Sequence, residues 1–70
     1  MDTAQRFGLN LRIARRLKQM TQAELASKVY LDRCAISRIE TGHRYPRLDR
    51  VLEFAETLDM EVWELLHGIE

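Results

Sequence analysis

TQAELASKVYLDRCAISRIETG, running from Thr21 to Gly42, reads as two short helices joined by a tight turn. Thr21 is placed to cap the first, with Glu24 three residues on, the spacing of a capping box. Leu25 and Val29 stand at i and i+4 and share one apolar face, while Ala26 is small enough for another helix to cross closely. Asp32 opens the second helix as its N-cap, Ile36 and Ile39 face inward, and Gly42 falls at the C′ position. That arrangement leaves Arg33, Cys34, Ser37, Arg38 and Thr41 on the outer face. Two arginines among small polar side chains, on a helix whose other face is apolar, suit the major groove of DNA.

Working outward, the simplest reading is an all-α fold of five helices within one domain spanning residues 1–70. The first helix is expected from about Ala4, capped by Thr3, to Lys18 or Gln19, with Phe7, Leu11, Ala14 and Leu17 as its inner stripe and Arg6, Arg12, Arg15 and Arg16 around it. The second and third are expected at about 22–29 and 33–41. A loop, His43 to Arg47, follows, and Pro46 keeps the chain from re-entering a helix early. A fourth helix at about 48–58 should bury Leu48, Val51, Leu52, Ala55 and Leu58. A fifth at about 62–67 should bury Val62, Leu65 and Leu66 and end at Gly68.

These residues resemble the helix-turn-helix of the lambda-repressor-like family, also called Xre-type regulators. The matching positions are Gln22 at the start of the first motif helix, Ala26 at the crossing, Ile36 and Ile39 in the second, then Glu40, Gly42 and Pro46. Leu11, Arg12 and Arg15 fit the pattern of that family's first helix, and residues 48–58 and 62–66 fit its last two. The resemblance implies a compact five-helix DNA-binding domain. It also marks departures. The family usually has Gly where this chain has Gln19, Tyr30 and Asp59, because those residues adopt positive φ, and Ser or Thr caps where this chain has Arg47 and Glu61.

Composition sets outer bounds. Seventy residues allow one small core. No apolar run reaches the length of a membrane span, and the N-terminus lacks a signal-peptide core, so a cytoplasmic protein is expected. One cysteine, Cys34, and two separated histidines, His43 and His67, make neither an intrachain disulfide nor a metal pattern. No nucleophile–base pair or phosphate-binding glycine loop is present, so neither an enzyme nor a cofactor or small-molecule ligand is expected.

Charge is the other informative property. The net charge is zero, yet residues 1–50 hold all 11 Lys and Arg against five acids, while residues 51–70 hold six acids and no base. Opposite halves of +6 and −6 mean that one face is basic enough for phosphate and that the acidic end points away from it.

Individual roles follow. Arg33 and Arg38 are the expected base readers, since a guanidinium matches guanine O6 and N7, and Cys34 and Ser37 share their face. Cys34 is equally a small spacer, with a redox role the rarer reading. Gln22 resembles the family residue that bonds a phosphate, and Thr41, His43, Arg44 and Arg47 are expected along the DNA backbone. For Arg15 the resemblance implies a structural ion pair with Glu40. Trp63, with Leu66 or Ile69 beside it, is the expected dimer contact in the acidic end. The expected function is a transcriptional repressor or activator binding an inverted repeat in double-stranded DNA as a homodimer. A phage or plasmid repressor fits, as does a restriction-modification controller protein, and with no second domain its activity would be set by concentration. The alternative is a protein-interaction module or antitoxin that uses the same fold to hold another protein.

Overall fold

Asp2, not Thr3, starts the first helix. In the computed structural model, which describes residues 1–69, α1 spans Thr3–Leu17. The Asp2 carboxylate accepts from the Gln5 backbone N–H at 2.8 Å, and the Gln5 side chain accepts in return from the Asp2 N–H at 3.0 Å. Two orphan donors are met at once, which a cap at Thr3 would not achieve with Arg6 three residues on. Next come α2 (Gln22–Lys28), α3 (Arg33–Glu40), α4 (Leu48–Thr57) and α5 (Val62–Leu65). Thr21 and Glu24 form the expected reciprocal cap of α2, and Asp32 accepts from the Ala35 N–H at 2.7 Å to start α3. Arg47 provides no side-chain cap, so α4 begins without one. The fifth helix is shorter than expected: Leu66 is already its C-cap, and the turn before Gly68 is not helical.

Four of the five helices close in the same way. After α1, α2, α3 and α4 the chain takes one residue of positive φ: Gln19 (55°), Tyr30 (57°), Gly42 (81°) and Asp59 (53°). The next N–H then reaches back to a carbonyl of the last turn, as in Met20 to Arg15, Leu31 to Ala26, His43 to Arg38 and Met60 to Ala55, at 2.9 to 3.1 Å. This is the Schellman closure, whose C″ residue commonly makes an apolar contact. Met20, Leu31 and Met60 do so, each packing half-buried against the core. Only the third closure uses glycine. The other three place a side chain in the left-handed region, at about 1 kcal/mol for Gln19 and Tyr30 and less for Asp59.

The core lies where α1 packs on α3 and α5, α2 on α3, and α4 on α5. Phe7, Leu11, Leu25, Ile36, Ile39, Phe54, Leu58 and Leu65 fill it. Gly8 faces α3 so closely that a Cβ there would strike the Ile39 and Glu40 carbonyl groups, so the α1–α3 crossing depends on it. Four expected core leucines lie elsewhere. Leu17, at the last residue of α1, is 77% exposed, because the stripe of Phe7, Leu11 and Ala14 has rotated away by then. Leu48, on the uncovered first turn of α4, is 72% exposed, and Leu52 stands off the stripe formed by Val51, Phe54, Ala55 and Leu58. Phe54, which the sequence reading leaves out of the core, is instead fully buried there. Leu66 lies outside the core and Val62 is half-buried at its edge.

Candidate nucleic-acid interface

The exposed face of α3 carries its side chains in two rows. Arg33, Ser37 and Thr41 follow one another at i, i+4 and i+8, and Cys34 and Arg38 form the neighbouring row. Arg33, Cys34, Arg38 and Thr41 are exposed and Ser37 is half-buried. Arg33 and Thr41 of the first row border a cleft shared with α1 and α2. The second borders a shallow depression completed by Asp32 and Arg44. Thr41 is occupied locally, its hydroxyl donating to the Ser37 carbonyl at 2.9 Å and lying 2.9 Å from His43 Nδ1.

Arg15 and Glu40 meet behind this face. Arg15 Nε donates to Glu40 Oε2 at 2.6 Å and Nη2 donates to Oε1 at 3.0 Å, a forked pair in which both side chains are buried. Arg15 Nη1 also donates to the Met20 carbonyl at 2.7 Å, tying the pair to the closure of α1. The hydrogen bond to Glu40 raises the Arg15 pKa above its ordinary value, against the opposing effect of burial. Gln22 joins the same carboxylate, its Nε2 donating to Oε1 at 3.0 Å. Glu40 thus accepts three hydrogen bonds, and the Gln22 amide is held at the helix start with one N–H left over.

The loop residues His43, Arg44 and Arg47 are all exposed beside α3. Arg44 makes no salt bridge among the described residues. Arg47 grips Asp49 through two hydrogen bonds of 2.8 and 3.2 Å, and this contact holds the Asp49 carboxyl below its usual pKa. Glu24 is likewise lowered, by the Thr21 backbone and hydroxyl. Two polar anchors escaped sequence reasoning because their partners are distant carbonyl groups. Arg50 Nη1 donates to the Val29 carbonyl at 2.6 Å, closing the end of α2. Asn10 Nδ2 donates to the Leu65 and His67 carbonyl groups at 2.9 and 2.8 Å, fastening α5 to α1.

Away from the basic face, Trp63 is 68% exposed. It stands on one wall of an apolar groove between α1 and α5, with Ile13, Ala14, Leu17 and Met60 as the other apolar lining and Lys18, Asp59 and Glu64 among the polar residues around it. Leu66 is exposed, whereas Ile69 turns back, half-buried, onto the domain's own core. The sequence reading places Ile69 beside Trp63 on the free surface, puts Leu17 on the inner stripe of the first helix and gives Ile13 no role, whereas Ile13 and Leu17 are the exposed wall facing Trp63.

Comparison with known proteins agrees with the geometry. The profile of the helix-turn-helix family matches residues 11–62. An HTH-type transcriptional activator, BcrR of Enterococcus faecalis, is 34% identical over 64 residues; the match covers 91% of this chain but only 31% of that protein. The chain therefore spans about a third of that curated relative. Among solved structures, the restriction-modification controller protein C.AhdI from Aeromonas hydrophila superposes with a TM-score of 0.84 at 37% identity, covering 89% of this chain and 90% of that one. A hypothetical transcription factor, NHTF from Neisseria, gives a TM-score of 0.86 at 29% identity, covering 93% and 75%.

Proposed function

This chain belongs to the helix-turn-helix family of DNA-binding regulators, and we infer that it binds a specific duplex sequence as a homodimer to control transcription in the cytoplasm. The observation that carries this reading is the solvent-facing surface of α3, where Arg33 and Arg38 project with no acidic partner among the described residues. Such arginines can supply bidentate contacts to guanine, with Cys34 and Ser37 meeting a thymine methyl or another base edge. Arg44, His43 and Arg47 then run along the phosphates, Arg47 by exchanging Asp49 for a phosphate oxygen. Gln22 contributes its remaining N–H, and Thr41 its oxygen edge through water.

Similarity to a restriction-modification controller protein over nearly the full length of both chains favours that subclass over a phage or plasmid repressor. Dimer formation is supported by the apolar groove at Trp63, which lies away from the α3 reading face and leaves Ile13, Leu17 and Trp63 exposed. Selection of bound duplexes from a random library tests the whole reading. An inverted repeat with guanines at symmetric positions is the expected product; enrichment of no sequence would reject specific recognition.

A further inference from the structure

The geometry points to a second backbone contact outside the helix-turn-helix: a cleft in which Arg12 and Arg16 of α1 seat DNA phosphate beside the base pair met by Arg33. Arg12 and Arg16 stand at i and i+4, so their guanidinium groups share one face of α1, and both are exposed. They line one cleft with Arg33 and with the hydroxyl-bearing Thr21 and Thr41. The single acid in that cleft is Glu40, whose oxygens are already taken by Arg15 and Gln22. Neither Arg12, Arg16 nor Arg33 takes part in a salt bridge among the described residues. Three positive side chains therefore converge on an open site whose one carboxylate is neutralised from behind.

The chemistry fits a phosphodiester on a long strand better than a free nucleotide. No aromatic side chain lines the cleft to stack a base. Arg33 and Thr41 of α3 form its far edge, so a strand following the reading helix reaches it. The inference rests on the proposed DNA binding and adds to it a footprint that reaches onto α1. It also gives the arginines of α1 two jobs: Arg15 neutralises Glu40, and its neighbours one residue after and three before hold the anion.

Salt titrations of the whole chain on a fluorescent random-sequence duplex test this. Each phosphate contact contributes a slope of about −0.9 to the dependence of log affinity on log salt. Arg12→Gln with Arg16→Gln should therefore flatten the slope by about 2 per bound protomer and weaken every sequence alike, leaving base preference and melting temperature unchanged. Lys at both positions should restore the slope, because charge without a fork suffices for phosphate. If wild type binds duplex and the Gln double variant keeps its slope, the cleft is not a phosphate site. A loss confined to self-association would likewise overturn the inference and assign the arginines to the acidic end of a second copy. Absence of any duplex binding by wild type would instead reject the underlying DNA-binding reading, and this inference with it.

Discussion

At the scale of single residues, Arg33 and Arg38 differ from Arg44 in what stands around them. The first two project from a rigid helix in adjoining rows, while Arg44 lies on a loop. A fixed fork can discriminate bases, whereas a loop charge follows the nearest phosphate. Arg33→Ala or Arg38→Ala should cost about 1–3 kcal/mol at a selected site and relax choice at one base pair, while Arg44→Ala weakens all sequences equally. Unchanged site preference in Arg33→Ala would move the reading face elsewhere. The buried pair makes a separate claim. Removing one member strands the other in the interior, which typically costs about 3–5 kcal/mol, although the intact pair adds little net stability. Glu40→Gln should accordingly lower the melting temperature far more than it alters specificity. Arg15→Ala combined with Glu40→Gln should cost less than the two single changes together, and strict additivity in that cycle would show that the two act independently.

Elements show where sequence was informative and where it was not. The two motif helices were legible because their caps, apolar spacing and Gly42 all agree within 22 residues. Periodicity alone served α4 poorly, since its apolar residues outnumber the positions that its stripe can bury; Leu48 and Leu52 lost to Phe54. Asp2 was overlooked because Thr3 is also a good cap, and the choice depended on Gln5. Arg50, Asn10 and Gly8 act on backbone from distant segments, a signal that no local window contains. The helix closures, by contrast, were legible as strain. Tyr30 holds φ at 57° while 89% exposed, so its side chain gives little packing in return. Tyr30→Gly should stabilise the fold by about 1 kcal/mol, or roughly 4–8 °C in the melt of so small a domain. Asp59→Gly should gain less, because Asp tolerates the left-handed region better. A melt lowered by Tyr30→Gly would mean that the tyrosine makes contacts that outweigh its strain. Acid should loosen these elements further. The lowered pKa values of Glu24 and Asp49 give stabilisation that is present above the ordinary carboxylate pKa and lost as pH falls through the shifted one, below about pH 4.

The whole molecule is polarised along its chain: residues 1–50 hold every Lys and Arg, and the last twenty residues are acidic. One α3 helix reads only a few base pairs, so two copies joined about a two-fold axis, with reading helices about 34 Å apart, are the natural way to extend the site. The joining surface must avoid the basic face. The groove of Ile13, Leu17, Met60 and Trp63 satisfies that condition, and Leu66 is exposed on the turn that ends α5. Its margin carries one lysine, Lys18, against Asp59 and Glu64, so each copy brings an acidic excess to the contact. Raising salt should therefore strengthen self-association while weakening DNA binding, two opposite slopes from one molecule. Trp63→Ala removes the largest apolar anchor without touching the core, and should shift sedimentation toward monomer and reduce operator affinity in parallel. Leu17→Glu, on the opposite wall, should do the same if the groove is the interface. A wild-type chain that stays monomeric even on operator DNA would rule out the dimer. An undiminished dimer in both variants would place the contact on another face, and the operator's half-site spacing would then have to be explained from there.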